Sequence, residues 1–491
     1  MRHNDITRRQ IIRGLLGVGG LTAAGAAGLD PLLRLALADD GSKSCAYCEG
    51  IRELCPTCVG ASIDAKDHFF VFVYFSGAWD LMLSLDPRDE SGFYNEGNVA
   101  TSLTQPGYKL LDEPSNDGQL YEVIRANGLP DILGPFMGEL MDHFDKLAIV
   151  RGMSAETLTH EAGRRRFLTG KPPSGLAARG SSAATWLASQ LGGAQLVPNL
   201  AMRVETYNVD QPNFASGLKV SSVKDLVRVL QASGPAMNPK VATHLDAMLS
   251  QSSVCPVAMK APLFQDAESA RLKAREMVLG GLDQLFDFKK SGDFNEMIRG
   301  HFGMSTSTAS TTTSVEARAA AAALAITEGV ARVVSFQAND TTLDTHYDEW
   351  TTDQGPTQER GFNAVARLIK YLECTEYKNT GACWLDHTTI VGFSEFGRSA
   401  MLNANSGRDH SLTNGTFLAG AGIRGATIVG ESSEIGMMPT KTDLVTGAPS
   451  DDPKAKVVKP EHILQTLFHL MGQTSDPADL RVSPLQAIMK P

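Results

Sequence analysis

Four stretches of this chain are apolar without alternation, at residues 68–75 (HFFVFVYF), 146–150 (KLAIV), 332–336 (RVVSF) and 388–393 (TTIVGF). Runs of this length, rich in β-branched and aromatic residues, predict strands buried on both faces, as in a parallel sheet. A weaker strand is expected over 200–204. Elsewhere apolar residues recur every three or four positions, which predicts helices over 131–144, 222–232, 267–286, 315–330, 359–373 and 461–471, the last opening behind Pro460. Strands separated by helices read as an α/β fold: a mostly parallel sheet, with residues 359–373 as the crossover into the strand at 388. Residues 84–130, rich in Gly, Asn, Asp and Pro, read as long loops at the mouth of a site. The region from about 200 to 300 reads as a helical insertion packed on the main sheet, and 305–314 (STSTASTTTS) as a mobile surface loop.

Polar groups arrive where the strands stop. The first run leads through Ser76 and Gly77 to Asp80, the second to Thr159, His160 and Glu161, and the third to Asp344 and His346. The fourth ends in Ser394, Glu395 and Arg398, with Asp409 and His410 after a short loop. In open α/β sheets ligands bind in the crevice beyond the carboxyl ends of the strands. Carboxylates and imidazoles gathered there suit a divalent metal such as Zn, Mn, Ca or Mg, and the expected ligands are Asp80, Asp344, His346, Glu395, Asp409 and His410. For residues 394–398 alone, the plainer alternative is a cap and turn. The run Arg164-Arg165-Arg166 reads as a solvated helix face, or else as a set of planar forks for phosphate or sulfate oxygens.

Composition narrows the field. Of the 491 residues 42% are hydrophobic and 20% charged, enough to bury a sizeable globular core. A net charge of −10 leaves no basic footprint, which excludes nucleic acid as the expected partner. At the N-terminus, Thr7-Arg8-Arg9-Gln10 precedes a weakly apolar Gly/Ala-rich segment and Ala36-Leu37-Ala38. This is the pattern of a twin-arginine signal over 1–38, read by the twin-arginine translocase and directing the chain to the periplasm or the exterior; a retained, uncleaved anchor is the rival. Cleavage would remove five arginines and two aspartates and take the net charge to −13, with no membrane span to follow. Within 39–66, Cys45, Cys48, Cys55 and Cys58 form two CxxC pairs, read as a structural Zn site, two disulfides or, less in keeping with the spacing, an iron–sulfur cluster. Cys374 and Cys383 flank a polar loop and could pair, leaving Cys255 over.

The ordered motifs Gly77-Ala-Trp-Asp80, Thr159-His160 through Thr169-Gly170, Asp344-Thr-His346, Phe393-Ser-Glu-Phe-Gly-Arg398 and Gly407-Arg-Asp-His410 carry a resemblance. Over residues 67–475, ahead of a tail at 476–491, the chain resembles the DUF1501 family of exported bacterial proteins, related to the alkaline phosphatase and sulfatase superfamily. That resemblance implies an alkaline phosphatase-like three-layer sandwich. It also implies two metals, with Asp80, Asp344 and His346, Glu395 and His410 at the ligand stations. In the superfamily a nucleophile lies ten residues before the Gly of a Thr-Gly pair, and counting back from Gly170 reaches His160, with Thr159 one step earlier. Either Thr159 attacks, or His160 is a ligand or general acid and metal-activated water attacks; Arg398 is counted with these catalytic groups. Glu395-Phe396 stands where hydrolytic relatives often have Asp-His or Asp-Asn, which removes one ligand. The implied function is an exported metal-dependent hydrolase of phosphate or sulfate esters, taking a small anionic ester. The alternative is a non-hydrolytic protein that binds a metal or envelope ligand and serves assembly or adhesion.

Overall fold

A computed structural model describes residues 67–88, 104, 124–125, 132–175, 177–231, 238–250, 260, 264–265, 268–269, 271–274, 280–347, 350–405 and 407–491. The segment 1–38 expected to be a signal, the cysteines at 45, 48, 55, 58 and 255, and most of residues 84–130, expected as loops, lie outside the described residues.

Eight strands form the central sheet: β1 Phe69–Phe75, β2 Leu147–Ser154, β3 Asn199–Met202, β4 Leu218–Val220, β5 Val333–Gln337, β6 Thr388–Ser394, β7 Thr413–Gly420 and β8 Thr427–Val429. Their order is β8-β2-β7-β6-β1-β5-β3-β4. Every pairing is parallel except those of β7, which runs antiparallel to both β2 and β6. All seven residues of β1 are buried, because the strand lies at the centre and is covered on both faces. Phe69, Val71, Val73 and Phe75 enter one apolar core, and Phe70, Phe72 and Tyr74 the other. This is the period-two pleat of a strand between two layers.

Helices α1 His160–Thr169, α2 Ala183–Leu191 and α5 Pro460–Leu470 contribute to the core with Phe70, while α3 Val315–Thr327 and α4 Gly355–Cys374 contribute to the core with Phe69. The fold is therefore the expected three-layer α/β arrangement. The Ala run of α3 is buried all round, since the helix is overlaid by α4 and by the helices Val223–Leu230 and Asp293–Phe302. Its small side chains let it sit close to the sheet. Among the described residues no helix is long and apolar enough to cross a membrane.

Two local expectations are corrected. Within the Ser/Thr-rich run, Thr308–Thr312 is a short helix capped by Ser307, with Thr311 and Thr312 buried. Its hydroxyls bond back to carbonyls one turn earlier, Thr311 Oγ1 to Ser307 at 3.0 Å for example, so a polar sequence still satisfies itself in a packed position. Cys374 and Cys383 do not pair with each other. The loop after α4 sets Glu376, not Cys374, opposite Cys383. Cys374 is buried as a thiol, while Cys383 is disulfide-bonded.

His462 in the first turn of α5 is 4% exposed, and its Nδ1 accepts the Lys459 N–H at 3.2 Å, so the ring is neutral in the fold. Burial, joined by the positive charges of Lys459 and Arg166, pulls its pKa from 6.5 to about 4. The unfolded chain takes up that proton below pH 6.5, so stability falls with pH by about 1.4 kcal/mol per unit from this ring, down to the folded-state value. Between pH 6.5 and 5 the loss from His462 is about 2 kcal/mol. Urea titrations should show His462→Gln losing about 2 kcal/mol less stability than wild type across this range; an unchanged pH dependence would mean that the ring is already charged in the fold.

Candidate metal centre

The register of β1 brings Phe75 level with Ser394 of β6 and Tyr74 level with Gln337 of β5, so the segments that follow all three strands emerge at one edge. Gly77 has φ +106°, and a Cβ there would lie 2.6 Å from Asp344 N. Only glycine lets the loop bearing Asp344 cross the end of β1. Gly163 on α1 has a similar role, because a Cβ would stand 2.7 Å from Glu395 O. That close approach brings His160, at the start of α1, against Glu395. Because β7 is antiparallel, Asp409 and His410 reach the same edge by preceding a strand instead of following one.

Glu395 is 2% exposed, and its Oε1 accepts the Gly77 N–H at 2.9 Å and lies 2.7 Å from His160 Nδ1. Burial would raise the Glu395 pKa, but the hydrogen bonds from His160 and Gly77 outweigh it and hold the carboxyl below its ordinary value. The carboxylate is ionised and accepts, so His160 carries its proton on Nδ1. The same logic fixes two more rings. His410 Nδ1 lies 2.7 Å from the Leu158 carbonyl, and His346 Nδ1 lies 2.9 Å from Asp409 Oδ1. Each Nδ1 faces an oxygen that can only accept.

Three Nε2 atoms are left to converge on Asp344 Oδ1, at 3.3 Å from His160, 3.1 Å from His346 and 3.3 Å from His410. His346 Nε2 and His410 Nε2 are 3.0 Å apart. Lone pairs so disposed repel unless a proton or a cation lies among them. His160 Nε2 is buried and makes no hydrogen bond, with Asp344 Oδ1 3.3 Å away. Burial would lower the ring's pKa, but the carboxylates of Glu395 and Asp344 outweigh it and hold the pKa above its ordinary value. The ligand atoms of His160, Asp344 and His410 all lie within 4.8 Å of one another. Asp344 is partly buried, which alone would raise its pKa, yet the Arg398 guanidinium beside it brings the value down to about 2. Imidazoles whose other nitrogen is tied to an acceptor, next to an ionised carboxylate, are a donor set that suits a divalent ion.

Residues 68–475 match the family described as "Protein of unknown function (DUF1501)". The chain belongs to the DUF1501 family. No curated protein matches it. Among solved structures it is similar to Ps i-CgsB in complex with a neocarrahexaose, with 8% identity and a TM-score of 0.36 over 85% of this chain and 75% of that one. It is also similar to a mutant TAB5 alkaline phosphatase with magnesium bound, with 9% identity and a TM-score of 0.28 over 72% and 91%. The chemistry of this DUF1501 site therefore rests on its own geometry.

Of the groups expected from sequence, Asp344, His346 and His410 meet His160, so a residue expected as a catalyst stands beside three expected as ligands. Glu395 and Asp409 lie behind His160 and His346, orienting them. Asp80 stands apart: its Oδ2 is 2.7 Å from Arg408 Nε in a buried ion pair, and its Oδ1 accepts the Met82 N–H. Arg398 is fully buried and donates to the carbonyls of Gly77, Ala78, Leu343 and Arg408 as well as to Asp344. It braces three loops and also reaches the site itself, with Nη2 2.7 Å from Asp344 Oδ1 and Nη1 3.4 Å from His346 Nε2. Thr159 is exposed, precedes α1 and makes no side-chain cap bond.

The triple arginine is not a solvated face either. Arg166 is buried and pairs with Glu461 at 3.0 Å, Arg165 bonds Tyr207, and Arg164 bonds Glu205 at 2.9 Å. Two features escaped the sequence reading. The Leu158 carbonyl has no side-chain signature. Phe396, whose ring lies 4.9 Å from that of His160 and 4.6 Å from that of His410, could have been found from its place beside Glu395. Phe396, Ala78 and Ala155 make a small dry floor under the imidazoles.

Proposed function

We propose that this DUF1501 protein is an exported, metal-dependent hydrolase of phosphate or sulfate esters, with His160, Asp344 and His410 holding the metal. The observation that carries the reading is the convergence of three Nε2 atoms, each with Nδ1 tied back, on one ionised carboxylate oxygen. A divalent cation bound there would supply Lewis-acid polarisation of the ester and neutralise charge in the transition state. The chain's own groups do the rest. Glu395 fixes the His160 ring with Nδ1 turned inward, so that Nε2 is the atom presented to the metal, and the Leu158 carbonyl does so for His410. His346, held at Nδ1 by Asp409, is placed to take the proton of an attacking water on Nε2. The Phe396 floor keeps water from the far side of the rings. Export through the twin-arginine route, proposed from Arg8-Arg9, would let a folded, loaded protein cross.

Elemental analysis of the exported protein, followed by assay on a panel of phosphate and sulfate monoesters with and without chelator, tests this. Turnover that falls with chelation and returns with metal is the expected result. Glu395→Gln should weaken metal binding by about 10- to 100-fold, as loss of an orienting partner does. A metal-loaded wild type that turns over no ester would shift the reading to a non-hydrolytic binding protein.

A further inference from the structure

Beside the candidate metal centre lies a cleft of about 490 Å³, lined by residues from the carboxyl ends of β1, β3, β4 and β5, among them Tyr74, Arg203, Lys219 and Gln337. This is the edge where open α/β sheets take ligands. Arg164 also lines the cleft, and it follows His160 by four residues on α1, so the two share a helix face one turn apart, with Cβ atoms roughly 6 Å from each other. Ser76 forms part of the wall, and the next residue, Gly77, donates to Glu395. The cleft and the metal centre are neighbours through α1 and the end of β1.

The chemistry of the cleft is that of an oxyanion receptor. Three cations, Arg164, Arg203 and Lys219, face one carboxylate, Glu205, which bonds Arg164 at 2.9 Å and lies 3.5 Å from Arg165. Among the described residues Arg203 and Lys219 have no carboxylate partner, and both are exposed. In a chain of net charge −10 a local positive excess stands out. Two buried donors add to it. The Tyr74 hydroxyl, 1% exposed, sits near Arg164 and Ser76 without a well-formed hydrogen bond, and Arg164 Nε is likewise buried and unmatched. Arg203 also holds φ +59°, a left-handed conformation that a long side chain rarely adopts and that its surroundings sustain, its N–H donating to Val220 O at 2.9 Å.

We infer that this cleft is a second anion subsite, which binds a sulfate or phosphate group carried by the substrate about one helical turn from the ester that reacts at the metal centre. The inference rests on the hydrolase reading for the role of the subsite, though not for its existence. It narrows the substrate class to esters with at least two oxyanion groups, with Arg203 and Lys219 as specificity-determining residues.

The probe is inorganic sulfate, titrated calorimetrically at constant ionic strength into the metal-stripped full chain. Wild type should bind it, Arg203→Gln/Lys219→Gln should bind it at least tenfold more weakly, and Arg228→Gln, a change at a well-exposed arginine on another helix, should match wild type. Equal affinity in the double variant, or an equal fall in the Arg228 control, overturns the subsite. A second arm uses the metal-loaded protein on naphthyl phosphate and on naphthyl phosphate bearing a ring sulfonate. The double variant should raise KM at least tenfold for the sulfonated ester only, with kcat kept; an equal rise for both esters also overturns it. Sulfate binding without any turnover would retain the cleft and reject the hydrolase, whereas turnover without sulfate binding would retain the hydrolase and reject the cleft.

Discussion

His346→Gln should lower kcat on a phosphate or sulfate monoester by about 10²- to 10⁴-fold while bound metal stays at the wild-type level. The reason is the division of labour among the three imidazoles. His160 and His410 stand with Asp344 in the tight ligand group, and His346 lies just outside it with an aspartate behind its ring. Asp409 holds the Nδ1 proton, and the hydrogen bond from His346 keeps the Asp409 carboxyl below its ordinary pKa. Nε2 is therefore the basic atom and faces the space above Asp344. Glutamine can fill much of the volume but cannot take up a proton. Asp409→Asn makes the complementary test, since an amide can donate to Nδ1 and favour the wrong tautomer; it too should lower kcat and spare metal. If His346→Gln sheds the metal instead, His346 is a ligand, and the proton must go elsewhere.

Much of the fold was legible because buried parallel strands write themselves as unbroken apolar runs. Phe69–Phe75, Leu147–Ser154, Val333–Gln337 and Thr388–Ser394 each contain or closely overlap a predicted run. β7 was missed. Five of its eight residues, TNGTFLAG, are polar or glycine, and burial is tolerated because Thr416 Oγ1 donates to Gly392 O and Trp79 Nε1 donates to Asn414 Oδ1 across the sheet. Partners from such distant strands leave no periodic trace. The same limit applies at the centre. That Asp344, His346, Glu395, Asp409 and His410 lie at one edge was readable, since each sits next to a strand. Which of them face inward and which stand behind a histidine was not. That depends on Gly163 admitting α1 to Glu395, and on β7 running backwards. Arg166 shows the point from the other side: three consecutive arginines look solvated until Glu461, almost 300 residues away, is brought against one of them.

Asp80→Asn should destabilise the protein by about 3–5 kcal/mol and leave metal binding intact. As a ligand, which the motif and its superfamily station suggested, Asp80 would behave the other way: modest change in stability, complete loss of metal. In the structure its carboxylate is 1% exposed and faces Arg408, itself 3% exposed, with Oδ2 and Nε 2.7 Å apart. Asparagine keeps the shape and the acceptor for the Met82 N–H, so what is lost is the charge that compensates Arg408. A buried guanidinium left without its counter-ion accounts for the expected cost. Arg408 also donates to Ser399 O at 2.9 Å, and its own carbonyl accepts from Arg398, which pins the segment leading to Asp409 and His410. The ion pair thus holds the loop that carries Asp409 and His410, without itself joining the group of His160, Asp344 and His410. The double variant Asp80→Asn/Arg408→Met separates the readings. With no charge left unpaired it should recover most of the lost stability, giving a coupling energy opposite in sign to the single losses and at least as large, measured by chemical denaturation in a double-mutant cycle. Additive losses in that cycle, or loss of metal in Asp80→Asn at full stability, would return Asp80 to the coordination sphere.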